Sequence, residues 1–112
     1  MPVITVLTPA RDDTSVLLQA VADAVAGALE LGPGGVIAQS VTPAATVASG
    51  GHGTCAPWIV VTIQGSDRGH ERIDLARSAA EATVRSWAQQ FEIEIGGVWS
   101  QWQTPTATLP AT

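Results

Sequence analysis

The spacing of hydrophobic residues changes several times along the chain, and each change predicts a different element. Short continuous runs of β-branched and aliphatic residues predict four strands, at Val3–Thr8, Val36–Thr42, Trp58–Gln64 and Val98–Gln103. Between these strands, two segments space their apolar residues by three and four, which is typical of a helix with one buried face. The predicted faces are Leu17, Val21, Ala24, Val25, Ala28 and Leu29 in the first helix and Ile73, Ala76, Ala80, Val84 and Trp87 in the second.

Turn-forming residues set the limits of these helices. Asp12, Asp13 and Thr14 are good N-cap residues for the first helix, and the glycines and proline of 32–35 predict its end. The long segment 43–57 is rich in small residues, which predicts a loop with room for a short strand near 45–48. Alternation of apolar and acidic residues over 91–95 indicates a short edge strand.

Two halves of the chain resemble each other. Residues 2–6 align with 57–61 at an offset of 55, and residues 34–39 align with 96–101 at an offset of 62. We therefore predict one α/β domain over 1–112, with βαβ units at about 2–43 and 57–105 and a loosely held tail at 106–112. The two units, related by a pseudo-twofold axis, would form a four-stranded sheet with both helices on one face.

The other face of such a sheet would have no helix to cover it. Its alternate positions are apolar, at Ile4, Val6, Ile59 and Val61 or at their neighbours. An uncovered apolar face in a chain of 112 residues indicates association with further copies of the chain.

The composition of the chain limits the catalytic groups and binding partners that it can have. The chain carries a net charge of −5 with five arginines and no lysine, tyrosine or asparagine, so Lys and Tyr catalysis is excluded. The absence of a basic run argues against nucleic-acid binding, and no apolar run approaches the length of a membrane span. The single cysteine, Cys55, and the lack of a signal-peptide pattern indicate a cytoplasmic protein. No phosphate-binding motif or metal-ligand spacing is present, so we expect neither a cofactor nor a metal.

The start of the chain, the repeat and the last strand together resemble the tautomerase superfamily. Its members are built from βαβ units and use a proline that becomes N-terminal when Met1 is removed, which is the position of Pro2. Two units in one chain resemble the trimeric branch typified by macrophage migration inhibitory factor. Cys55-Ala56 before the third strand and the run Val98–Trp102 match stretches of that branch.

The resemblance implies roles for six residues. Pro2 would be the catalytic base, because an α-amino group titrates near pH 8 and an apolar pocket or a nearby arginine lowers its pKa further. Arg68, which matches an arginine of the decarboxylase and dehalogenase relatives, would anchor a substrate carboxylate. The implied substrate-binding residues are Arg11, Ile63, Trp99 and Gln101.

Other residues depart from that family. Its pocket lysine falls on Gly32, and its tyrosine acid falls on Trp99, which can only donate a hydrogen bond.

Pro2 also has a simpler interpretation as a strand-initial proline, and each arginine as a solvated surface residue. The pseudo-symmetry places Arg11 and Arg68 at equivalent strand ends, which we take to be the end of Pro9 rather than that of Pro2.

The function predicted is proton transfer on a small keto or enol carboxylic acid by a homotrimer that uses Pro2. Two alternatives stay open from sequence. One is a tautomerase-like protein that binds ligands without catalysis, which the missing lysine and tyrosine favour. The other is a ferredoxin-like ligand-binding module, because the βαββαβ order is shared and only the strand directions differ.

Overall fold

A computed structural model describes residues 1–51 and 56–105 of the chain. The predictions that concern His52, Cys55 and the tail 106–112 lie outside the described residues. The elements, in chain order, are β1 (Val3–Leu7), α1 (Thr14–Leu29), β2 (Ile37–Val41), β3 (Trp58–Gln64), α2 (His70–Gln90) and β4 (Gly97–Gln103). The four predicted strands and both helices are therefore confirmed, with ends that differ by one or two residues.

The four strands form one mixed sheet in the order β2-β1-β3-β4. β1 pairs with β2 and β3 with β4 in parallel, whereas the central strands β1 and β3 are antiparallel. Each parallel pair is joined through a helix, so the sheet is built from two βαβ units side by side. A ferredoxin-like sheet has only antiparallel neighbours, and the strand directions exclude that alternative.

Both helices pack on the same face of the sheet. The buried residues of the two helices and the inward residues of the sheet form one hydrophobic cluster, to which the strands contribute Ile4, Val6, Ile59, Val61, Ile63 and Val98. The four residues named first for the uncovered face therefore lie under the helices. The helix-free face carries their neighbours instead, because side chains alternate along a strand.

Thr5 and Thr62 mark the pseudo-twofold relation between the units. They are paired directly across β1 and β3 and are 57 residues apart. In the outer strands, Ile37 pairs with Val3 and Trp99 with Val60, which gives offsets of 62 and 57. The predicted offset of 62 relates Ile37 of β2 to Trp99 of β4, and the predicted offset of 55 relates Val6 to Val61, which are also paired directly across β1 and β3.

A left-handed residue follows each helix, and the end of α1 differs from the sequence prediction. α1 ends at Leu29, and its C-cap Glu30 adopts a left-handed conformation with φ of 58° while the amide of Leu31 donates to the carbonyl of Ala26 at 2.8 Å. This closing turn comes before the glycines that were predicted to end the helix. After α2, Glu92 is left-handed with φ of 53° and the amide of Ile93 donates to the carbonyl of Ala88 at 2.8 Å.

Two predicted extra strands are absent from the described structure. Residues 91–95 form the turn that closes α2, because Glu92 reverses the chain before an edge strand can pair. Residues 45–48 are irregular, and no strand lies there. Apolar alternation over a few residues was therefore insufficient to predict a strand where no partner strand is available.

Candidate functional site

Pro2 lies at the end of the sheet where β1 begins. Its side chain is buried, whereas Met1 is 72% exposed, and its carbonyl accepts a hydrogen bond of 3.2 Å from the amide of Ile37. That bond holds Pro2 against the start of β2. Removal of Met1 would therefore place the freed ring nitrogen at a fixed position.

Gly65 and Trp102 form the neighbouring wall. A Cβ built on Gly65 would lie 3.0 Å from Cζ2 of Trp102 and 3.5 Å from Cβ of Pro2. A larger residue at 65 would press against the Trp102 ring, whereas its distance to Pro2 is an ordinary van der Waals contact. Trp102 was not predicted as a site residue, since from sequence it was only the aromatic three positions beyond Trp99.

Two nitrogen donors are left without acceptors in loop 65–69 and in β4. Nε of Arg68 and Nε1 of Trp102 are buried and have no hydrogen-bond partner within the described residues. A buried N–H without an acceptor is costly, and such groups in folded proteins usually receive a partner from water or a ligand. Both donors suit the oxygen atoms of a carboxylate or a carbonyl.

Arg11 and Arg68 lie at opposite ends of the sheet, which corrects one prediction. Val3 pairs with Gln64, so the loop that carries Arg68 leaves the sheet beside Pro2. Arg11 follows β1 and lies at the opposite end. The predicted placement of both arginines at the end of Pro9 is wrong for Arg68, because the pseudo-twofold axis exchanges the two ends of antiparallel strands.

Arg11 already has an acidic partner. Its Nε lies 3.0 Å from Oδ1 of Asp13, in a pair whose arginine side chain is 42% exposed. This is the surface interaction that the simpler interpretation of the residue predicts. Within one chain, Arg11 cannot act beside Pro2.

Ile63 occupies the centre of the sheet rather than a surface. Its side chain is fully buried under the helices, and its backbone lies between Ile4 of β1 and Trp102 of β4. Any role in binding therefore belongs to its backbone and to the position it gives Trp102.

Trp99 and Gln101 face the helix-free side, and Trp99 lies away from Pro2. Trp99 is 68% exposed and stacks edge-on against Trp58, with ring centroids 5.6 Å apart. It pairs with Val60, five residues before Gly65, which is about 16 Å along the strand. Trp58 is half-exposed.

The helix-free face has a regular arrangement of rows across the four strands. The middle row is polar and hydrogen-bonded: Nε2 of Gln39 donates to Oγ1 of Thr5 at 3.3 Å, and Nε2 of Gln101 donates to Oγ1 of Thr62 at 3.0 Å. The row on one side is apolar and consists of Val41, Leu7, Val60 and Trp99. The row on the other side consists of Ile37, Val3, Gln64 and Gln103.

None of the twelve side chains in these three rows is charged. Charged residues are depleted in the centre of protein interfaces and common on solvated surfaces. The composition of this face therefore fits contact with another protein surface better than permanent exposure.

Within residues 1–51 and 56–105, no group of three or more His, Cys, Asp or Glu side chains is placed to hold a metal ion. Neither helix is both long and apolar enough to cross a bilayer.

The fold matches those of several solved proteins. Native fused 4-OT superposes with a TM-score of 0.73 at 16% identity, covering 92% of this chain and 86% of that one. A 5-carboxymethyl-2-hydroxymuconate isomerase from Deinococcus radiodurans R1 superposes with a TM-score of 0.74 at 16% identity, over 98% and 88% of the two chains. MIF2 of Leishmania major superposes with a TM-score of 0.63 at 11% identity, covering 94% of this chain and 89% of that one.

Further matches include a symmetric and an asymmetric trimer of fused 4-OT, and Pt0534 inactivated by 2-oxo-3-pentynoate. No protein-family model and no curated protein sequence matches this chain. The chain thus has the fold of the tautomerase superfamily, as its sequence predicted.

Proposed function

We propose that this chain is a tautomerase-like enzyme that moves a proton on a small keto or enol carboxylic acid. Pro2, converted to an N-terminal secondary amine by removal of Met1, is the base. The observation that carries the proposal is the position of Pro2, buried at one end of the sheet beside Gly65 and Trp102. Burial disfavours a charged amine, so the neutral form that accepts a proton is favoured near neutral pH.

We base the proposed substrate class on two donors, Nε of Arg68 and Nε1 of Trp102, which lack a partner within the described residues. Arg68 anchors the carboxylate through its guanidinium, and the indole N–H of Trp102 donates to a second oxygen of the same acid. The chain has no lysine or tyrosine to fill these roles, so the donors come from arginine and tryptophan.

We further propose that the active form is a homotrimer. Trp99 lies too far along the sheet to reach Pro2 of its own chain, and the amide of Gln101 donates to Thr62 of its own chain. Both would contribute, as pocket wall and amide donor, from a neighbouring copy. Arg11 lies at the end of the sheet opposite Pro2, so it too would contribute only from a neighbouring copy. The uncharged helix-free face supports this assembly, and the trimers of fused 4-OT provide a precedent for this fold. The single cysteine is in keeping with a cytoplasmic location.

A covalent probe tests the proposed base directly. The amine of Pro2 would add to the alkyne of 2-oxo-3-pentynoate, forming a C–N bond while the amine proton moves to the neighbouring carbon, without a leaving group. Mass spectrometry should find Met1 absent and the label on the N-terminal peptide. Pro2→Ala should lose enolpyruvate turnover while keeping its unfolding midpoint.

Two results would contradict the proposal: full activity of Pro2→Ala, or a mature chain that retains Met1 and takes no label. Retained Met1 turns the ring nitrogen into an amide, which cannot act as a base. It would favour the alternative of a tautomerase-like protein that binds ligands without catalysis. The absence of lysine and tyrosine from the chain also favours that alternative.

A further inference from the structure

The loop that joins β3 to α2 is fixed to the rest of the fold at both of its ends. At its start, the amide of Gly65 donates to the carbonyl of Gln103, the last residue of β4, at 3.1 Å. At its end, the carbonyl of Gly69 accepts a hydrogen bond of 3.1 Å from the amide of Ile73 in α2. Arg68 lies between these two fixed points, so the position of its side chain depends on the short segment around it.

Asp67 holds that segment. Its Oδ1 accepts a hydrogen bond of 2.9 Å from the amide of Gly69, and this bond closes a turn with Arg68 at its centre. Gly69 has φ of 88°, a conformation that residues with a side chain rarely adopt. The carboxylate of Asp67 thus fixes the direction in which the backbone enters and leaves Arg68.

Asp67 is next to Arg68 in the chain, yet the two side chains form no ion pair in the part of the chain that the structure describes. Arg11, Arg72 and Arg77 are each paired with a carboxylate. Because the carboxylate of Asp67 accepts from a backbone amide instead, the guanidinium of Arg68 keeps its donors available for a ligand. A carboxylate directed at Arg68 would compete with an acidic substrate.

The guanidinium of Arg68 needs a defined position to bind a carboxylate through two parallel donors. Side chains that bind a ligand must be held within about 0.5 Å of the productive geometry, and neighbouring hydrogen bonds usually supply that restraint. Nε of Arg68 is buried, so the side chain already lies against the protein and its direction follows from its backbone. A turn closed at Asp67 is therefore suited to placing this guanidinium.

We propose that Asp67 is a positioning residue, whose hydrogen bond to the amide of Gly69 sets the backbone of Arg68 so that the guanidinium meets a substrate carboxylate. Asp67 itself does not touch the substrate. The inference rests on the proposed role of Arg68 as the carboxylate anchor. It does not require any reaction at Pro2, since binding of an acid can be measured without turnover.

Binding of 2-hydroxybutanoate, an acid without a reactive carbonyl, tests the proposal in the full chain. The probe should shift the ¹H–¹⁵N signal of the Arg68 Nε–H group, assigned from its loss in Arg68→Lys. Asp67→Ala removes the acceptor of the turn and should weaken binding by about three- to tenfold, as expected for one lost hydrogen bond. Asp67→Asn keeps an oxygen that can close the turn and should retain the affinity of the unchanged chain. Asp12→Ala, which removes an exposed aspartate at the opposite end of the sheet, should also retain it.

Three results would overturn the positioning role. The first is an affinity of Asp67→Ala equal to that of the unchanged chain, even if its urea midpoint falls, because a merely structural turn has that effect. The second is equal weakening in Asp67→Asn, which would show that the charge matters and the turn does not. The third is no binding to the unchanged chain, which would also remove Arg68 as the anchor. The expected order of affinities in a chain whose Pro2 takes no label would support this inference and contradict only the proposed enzyme.

Discussion

Thr5 and Thr62 lie directly opposite each other in the antiparallel pair at the centre of the sheet, and each accepts a hydrogen bond from a glutamine of the adjoining outer strand. The result is a continuous polar row across all four strands. It is flanked by an apolar row, so the helix-free face is neither a plain hydrophobic patch nor an ordinary solvated surface. A face of this kind can exclude water and still fix the alignment of a partner.

A charge placed in this row should disrupt the assembly. Gln101→Glu would bury a carboxylate at the proposed interface between copies and remove the donor to Thr62, and both effects are costly. We expect a shift toward monomer, measured by sedimentation velocity. Ser78→Glu adds the same charge on the exposed side of α2 and should sediment as the unchanged protein does. An unaltered oligomer in Gln101→Glu would contradict the proposed role of this face.

Gly65→Ala should destabilise the protein. The added methyl group would lie 3.0 Å from the Trp102 ring and close to Pro2, and overpacking of this kind costs about 1–3 kcal/mol. Urea unfolding measures the loss. Gly27→Ala is the matched control, since a Cβ there meets nothing within 4 Å and a helical Gly→Ala change stabilises by about 1 kcal/mol. Equal effects of the two changes would argue against a tight contact at Gly65.

Trp102→Phe should weaken catalysis without unfolding the chain. The change keeps an aromatic ring but removes the indole donor, and a hydrogen bond to a charged group contributes about 1.5–3 kcal/mol. We expect kcat/KM on a 2-keto acid to fall by about 10- to 100-fold. Trp58→Phe alters an indole at the far end of β3 and should have a much smaller effect. Activity of Trp102→Phe close to that of the unchanged chain would remove Trp102 from the site.

Arg68→Lys should raise KM more than it lowers kcat. Lysine keeps the charge but loses the planar pair of donors that fits a carboxylate, so ground-state binding of the acid is weakened. Steady-state kinetics with an enolpyruvate separate the two constants. Arg85→Lys makes the same change on the exposed side of α2, outside the proposed site, and should leave KM unchanged. KM values that do not change in Arg68→Lys would refute a role as carboxylate anchor.

The local elements were largely predictable because hydrophobic periodicity reports burial. The spacing of Leu17, Val21 and Val25 places them on one side of α1, and the structure buries all three. Predictions failed where the structure of a segment depends on whether a neighbouring strand is available to pair with it. Residues 91–95 alternate like a strand, yet the left-handed Glu92 turns the chain toward β4 instead.

The sequence by itself determined the elements, the two-unit repeat, the proline at the start of β1 and the absence of lysine and tyrosine. These are properties of composition and spacing, which act through local propensity and burial. Only the tertiary structure decided which of these residues meet. Antiparallel pairing of β1 and β3 brings the end of one strand beside the start of the other, so Arg68 lies at the end of Pro2 and Arg11 does not. The same pairing joins Gly65 and Trp102 to Pro2, because register is fixed by contacts between strands that are distant in sequence.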